Sequence, residues 1–214
     1  FACLFHGAPG TGKTETVLQI ARATGRNLMQ VNISDIKSKW VGESEKNIKA
    51  IFTRYRKLVA ESDVAPILLF NEADAVIGKR LEDVARSVDK MENSMQNIIL
   101  EEIEKLDGIL IATTNLTCNL DHAFERRFLY KIEFAKPTAE VKSYIWQSMI
   151  AGLTPEDATA LASKYDFSGG QIENIARKSV VGRIISGEEI SLNSLIAHCD
   201  TELIGNSVHR RIGF

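Results

Sequence analysis

The sequence is poor in the features that mark specialised protein classes. It has 3 cysteines, Cys3, Cys118 and Cys199, far apart and in no Cys-x-x-Cys pair. Neither a disulfide framework nor a zinc site is indicated. A reducing, cytoplasmic setting is expected, with the thiols packing as small apolar groups. No apolar run approaches the ~18 residues of a membrane span. The formal net charge is only −2, so no global basic field draws in nucleic acid or an acidic membrane. Internal repeats, low-complexity tracts and a signal-like segment are missing too. The chain opens at Phe1, directly into a strand pattern, and reads as a segment of a longer protein.

What is present is ordinary globular composition, 44% hydrophobic and 25% charged over 214 residues. That is enough for one large domain, or one domain with a small companion. Ala2–His6 is a short apolar strand running into a glycine-rich turn. Lys13–Thr24 has helical spacing and stops at Gly25. Leu28–Ile33 reads as a strand and Ser44–Ala60 as an amphipathic helix. Ile67–Phe70 is continuously apolar, as suits a central parallel strand covered on both faces. Gly78–Asn93 is polar and reads as a loop or a frayed helix start. A helix over Met95–Leu106 and strands over Ile109–Thr113 and Leu129–Phe134 follow. Such alternation predicts an α/β parallel sheet flanked by helices with right-handed crossovers. After Pro137 the pattern becomes all-helical, over Thr138–Ile150, Thr154–Tyr165, Ser168–Ile185 and Ser191–Leu203. We therefore expect a nucleotide-binding domain over residues 1–136 and a small helical lid over 137–214.

The strongest chemical signal is Gly7-Ala8-Pro9-Gly10-Thr11-Gly12-Lys13-Thr14, which fits G-x-x-x-x-G-K-[ST] between a strand and a helix. Glycines let backbone N–H groups cradle phosphates, and the helix aims its positive end at them. Lys13 can reach the β- and γ-phosphate oxygens and the Thr14 hydroxyl can ligand Mg²⁺. The bland alternative is a glycine-rich turn that binds nothing. Hydrolysis needs a base as well, and the stretch Leu68-Leu69-Phe70-Asn71-Glu72-Ala73-Asp74 offers one. Glu72, at the end of an apolar strand, is the expected water-activating base. Asp74 reads as a helix-starting acid.

These two motifs and four others resemble the AAA ATPases of the AAA+ superfamily, above all the katanin/spastin-like remodelling group. The resemblance spans nearly the whole chain. Gly7–Thr14 matches the family's Walker A motif and Leu68–Asp74 its Walker B. Ser38–Lys46 looks like the first pore-loop segment, with Lys39, Trp40 and Val41 as the grip; the alternative is a Trp folded back on its own domain. Ile111–Asn115 resembles sensor 1, with Asn115 positioned to hold the attacking water or the γ-phosphate; alone it would read as a turn Asn. Leu120–Phe128 resembles the second region of homology, which makes Arg126 and Arg127 candidate arginine fingers rather than solvated surface arginines. Ser168-Gly169-Gly170-Gln171 aligns with the sensor 2 stretch, Gly169 and Gly170 lying near the nucleotide. The resemblance implies ATP and ADP as ligands, Mg²⁺ as cofactor, a hexameric ring of identical copies and a protein substrate.

Two residues depart from the family pattern. Gln171 stands where many relatives carry an Arg, so a charged lid contact to the γ-phosphate is lost. Asn71 stands where the Walker B Asp helps hold Mg²⁺ and its waters. An amide oxygen still accepts a hydrogen bond but offers no charge, so weaker metal affinity is expected rather than loss of the base. The expected function is ATP-driven remodelling of a protein partner. The rivals are a nucleotide-gated scaffold, favoured by Asn71 and Gln171, and a DNA-acting loader, disfavoured by the mild acidity.

Overall fold

The alternation in Ala2-Cys3-Leu4-Phe5 sends successive side chains to opposite faces of a strand. The computed structural model buries both faces. It describes residues 1–33, 44–78, 87–116, 120–187 and 189–207. Lys39, Trp40 and Val41, the expected pore loop, lie outside the described residues, as does Cys118. The chain divides into two units, one made of Phe1–Ala8 and Gly12–Phe134, the other of Pro9–Thr11 and Ala135–Phe214.

The first unit runs β1 (Ala2–Gly7), α1 (Lys13–Thr24), β2 (Leu28–Asn32), α2 (Ser44–Glu61), β3 (Ile67–Asn71), α3 (Asp74–Ile77), α4 (Ser87–Glu104), β4 (Ile109–Thr114), α5 (His122–Glu125) and β5 (Tyr130–Phe134). The five strands form one sheet in the order β2-β3-β4-β1-β5, and every pairing is parallel. This is the expected P-loop type of sheet. Ala2, Leu4, Leu68, Phe70, Leu110 and Ala112 share one face and pack on Phe52 and Tyr55 of α2 and on Met95 and Ile99 of α4. Cys3, Phe5, Ile67, Leu69 and Ile111 take the other face, against Val17 and Ala21 of α1. Double coverage explains why β3 and β4 read as unbroken apolar runs. Tyr55 ties α2 to two strands. Its buried hydroxyl donates to Pro66 O at 2.8 Å and accepts from Ile109 N at 2.8 Å.

Register then brings chemistry together. His6 pairs with Thr114 and Phe70 with Ala112, so the C-terminal ends of β1, β3 and β4 lie side by side. Residues just past those ends fall on one edge, where ligands of open α/β sheets bind. Several boundaries differ from expectation. Helix α4 begins at Ser87 rather than Met95, inside the segment that reads as a loop or a frayed helix start. Strand β5 begins at Tyr130, one residue after the expected Leu129.

The second unit is all-helical, with α6 (Ala139–Met149), α7 (Pro155–Lys164), α8 (Gly169–Ser186) and α9 (Leu192–Ser207). Thr154 caps α7 by accepting from Asp157 N at 3.1 Å, with Pro155 in the first turn. Trp146, Leu161, Phe167, Ile172, Ile175, Leu195 and Cys199 form its core. Burial, with Asp200 adding to it, pushes the Cys199 thiol up to about 12. It is thus inert packing, as its isolation in the sequence suggests.

Candidate functional site

The site is built on the turn that follows β1. Gly7 has φ +143°, and a Cβ there would lie 2.3 Å from Phe134 O of the paired strand β5. Only glycine ends β1 this way. Gly12, at φ +92°, turns the chain into α1. Lys13 is the first residue of that helix and is only 7% exposed. Its ammonium folds back on the loop, donating to Gly7 O and Ala8 O at 2.8 Å each and to Asn115 Oδ1 at 3.0 Å. Burial lowers the Lys13 pKa, and the Asp74 carboxylate partly opposes that. The three N–H bonds of the ammonium therefore converge on three neutral oxygens, which an anionic phosphate can outcompete.

Thr14 donates its hydroxyl proton to Asn71 Oδ1 at 2.8 Å. Thr113, at the end of β4, donates to the same oxygen at 2.9 Å. Both lone pairs of the Asn71 amide oxygen are thereby filled. Asn71 holds the Thr14 hydroxyl as a donor, which leaves the hydroxyl oxygen's own lone pairs for a cation. Among the described residues no group of three or more His, Cys, Asp or Glu could hold a metal by itself. The Thr14 hydroxyl oxygen, oriented in this way by Asn71, does fit Mg²⁺, which keeps several waters and takes phosphate oxygens in place of a protein cage.

Glu72 follows at φ +52°, the left-handed region that non-glycine residues rarely occupy. Such a conformation costs on the order of 1–3 kcal/mol and persists only where neighbours enforce it. Here Thr113 enforces it. Its Oγ accepts from Glu72 N at 3.1 Å and its carbonyl from Ala73 N at 2.8 Å. Strain therefore sits at the residue expected to act as base, and Glu72 is exposed.

Asn115 lies one residue beyond β4, and both ends of its side chain are engaged. Its Oδ1 accepts a hydrogen bond from the Lys13 ammonium. Its N donates to Asp74 Oδ1 at 2.8 Å and its Nδ2 to Asp74 Oδ2 at 3.3 Å. Thr114 Oγ also donates to Asp74 Oδ1. The structure thus gathers Lys13, Thr14, Asn71, Glu72 and Asn115. It adds Thr113 and Asp74, which sequence reasoning misses or reads otherwise. Thr113 carries no signal, because a Thr in a strand is commonplace.

The two arginines separate. Arg127 is 25% exposed and pairs with Glu104, and its guanidinium donates to Ala123 O at 2.8 Å. Its Nε is buried and, among the described residues, has no partner. Arg126 is exposed, and among the described residues its side chain makes no ion pair or hydrogen bond.

Within the second unit, Gly170 N donates to Gly10 O at 2.9 Å. A Cβ on Gly170 would lie 3.0 Å from Gly10 Cα. Gln171 acts locally, forming with Ser168 a reciprocal capping box at the start of α8. An open cleft of about 690 Å³, lined by Met29, Val31, Ile51 and Arg54 among others, contains none of the expected site residues.

Comparison with known proteins bears on this geometry. A family model described as ATPase family associated with various cellular activities (AAA) matches residues 3–136. Fidgetin-like protein 1 of Xenopus laevis is 27% identical over 208 residues, covering 91% of this chain and 30% of the relative. Vacuolar protein sorting-associated protein 4B of Mus musculus is 30% identical over 189 residues, covering 83% and 40%. The chain thus spans well under half the length of these relatives. Among solved structures, the FIGL-1 AAA domain in complex with ADP superposes with a TM-score of 0.73 at 21% identity, covering 94% of this chain and 71% of that one. At that identity the likeness speaks for the fold.

Proposed function

This chain belongs to the AAA family of ATPases, of the katanin/spastin-like type, and from that premise we propose that it hydrolyses ATP with Mg²⁺ to remodel a protein partner. Its main support is the constellation at the strand ends: the Lys13 ammonium bonded to Asn115, with Glu72 held in a strained turn beside Asn71. A protein that only bound nucleotide would have no use for a carboxylate and an amide placed beside the phosphate loop.

The residues divide the chemistry among them. Backbone N–H groups of Gly7–Thr14 and the N-terminus of α1 would take the phosphates. Lys13 would exchange its three neutral acceptors for phosphate oxygens. Thr14 would hold the metal, its hydroxyl kept in place by Asn71, and Mg²⁺ when bound supplies charge that offsets the phosphates. Glu72 would accept the proton of the attacking water at its exposed carboxylate. Asn115 would orient that water. Arg126, exposed and unpaired among the described residues, is the better of the two candidate fingers for a neighbouring copy in a ring. Action as a ring, a grip on a protein substrate through Trp40, and a cytoplasmic setting belong to this reading. No helix among the described residues is long and apolar enough to cross a membrane.

Asn71 makes the reading testable. Without a carboxylate at this position, Mg²⁺ and its waters would meet no negative charge there, so the Mg²⁺ requirement should be raised. Phosphate release from ATP is measured over a Mg²⁺ series for the protein, Asn71→Asp and Glu72→Gln, with assembly monitored by light scattering. The expected result is turnover that saturates at lower Mg²⁺ in Asn71→Asp and disappears in Glu72→Gln. Absence of turnover at every Mg²⁺ concentration in the assembled protein would leave the nucleotide-gated scaffold as the better reading.

A further inference from the structure

Asp74 has no assigned part in the site, and as an acid in the first turn of α3 it would ordinarily be there for the helix. Its contacts say otherwise. The cap residue of α3 is Ala73, which makes no side-chain cap hydrogen bond. The Asp74 carboxylate reaches across to the end of β4 instead. Its Oδ1 accepts from Thr114 Oγ and from Asn115 N, and its Oδ2 from Asn115 Nδ2. Thr114 is buried, and its Oγ in turn accepts from Leu116 N at 3.0 Å. The turn carrying Asn115 is thus pinned on both sides of that residue.

The consequence for Asn115 is chemical. A side-chain amide has a donor end and an acceptor end, and nothing intrinsic decides which faces the site. Asp74 is acceptor-only when ionised, so it selects the NH₂ end. The carbonyl end is then left on the Lys13 side, 3.0 Å from the ammonium. We propose that Asp74 is a positioning residue for hydrolysis, fixing the Asn115 amide so that its oxygen, not its nitrogen, is presented beside Lys13 to the attacking water. An oxygen there accepts a water hydrogen and aims a water lone pair outward. A nitrogen there would face the Lys13 ammonium donor to donor.

The inference rests on the ATPase reading of this site, and the test separates the two. Asp74→Asn keeps the size of the side chain and one acceptor, but its own NH₂ competes with Asn115 Nδ2. ATP affinity is measured by equilibrium binding, and single-turnover hydrolysis under saturating ATP and Mg²⁺ gives the rate of the chemical step. The expected result is a rate lowered on the order of 10–100-fold, the range for groups that act by orienting another, with affinity changed by less than about threefold. In an Asn115→Ala background, the same Asp74→Asn change should have almost no further effect. Equal losses in both backgrounds, or an unchanged rate in the single variant, would overturn the proposal. Thermal unfolding of each variant reports folding. If Asp74→Asn does not fold, Asp74→Glu, which keeps the charge but displaces it by one methylene, is expected to give the same rate-specific loss; a normal rate there overturns the proposal too. Absence of turnover in the unaltered protein would instead count against the ATPase reading itself.

Discussion

Gly7 shows at the residue scale how closely stability and site are joined. A methyl group at this position would sit 2.3 Å from the Phe134 carbonyl, in a backbone conformation reserved for glycine. Gly7→Ala should lower stability by roughly 2–4 kcal/mol, through strain and a forced separation of β1 from β5, and chemical denaturation measures it. A loss below about 0.5 kcal/mol would mean that the turn relaxes freely. The same scale shows what the sequence can disclose. Lys13, Thr14 and Glu72 are legible because their chemistry is local: a fixed spacing after a strand, an acid where the apolar run stops. Asn71 is legible as a departure but not as a solution. That its oxygen accepts from both Thr14 and Thr113 depends on β1 and β3 lying near β4, which no local pattern encodes. Asp74 misleads a sequence reading for the same reason. Its partners are Thr114 and Asn115, about forty residues away.

Among the elements, strands β1, β3 and β4 announce themselves through apolar residues buried on both faces. Helix α4 does not. Between Ser87 and Ser94 only Val88 and Met91 are apolar, too few to show a helical period, yet the helix starts at Ser87. Sheet order is likewise out of reach, since placing β1 between β4 and β5 needs pairings between distant segments. Helix α8 carries a clearer lesson. Set against the family pattern, Gln171 reads as a lost sensor cation, but it accepts from Ser168 N at 3.0 Å while Ser168 Oγ accepts from Gln171 N. The S-x-x-Q signature of that cap is present in the sequence, and the family comparison masks it. Ser168→Ala should destabilise the helical unit by about 1 kcal/mol, and Gln171→Arg by a few tenths, since only the weaker half of the box is lost. Thermal unfolding checks both. A stability gain from Gln171→Arg would show that the cap is incidental.

For the whole molecule, the expected parallel sheet and all-helical second unit are both present, and family membership follows from the match over residues 3–136. Whether copies act on one another is an expectation about assembly, and the two arginines give it a test. Arg127, bound to Glu104 and Ala123, should matter for stability, so Arg127→Ala should lower the melting temperature. Arg126→Ala should leave stability unchanged and suppress turnover. If Arg126 serves a neighbour, mixing Arg126→Ala with Glu72→Gln should restore part of the activity, because some interfaces then pair an intact base with an intact arginine. No recovery on mixing would place Arg126 outside the reaction or within its own copy's site. The claim on which the rest depends is that Glu72 makes this nucleotide site hydrolytic despite Asn71. It is tested most directly by single-turnover release of phosphate from ATP at saturating Mg²⁺, comparing the protein with Glu72→Gln. Release by the protein, with Glu72→Gln binding ATP equally well and slowed at least about a hundredfold, is the expected result. Equal rates in the two, or no release in either, would contradict it.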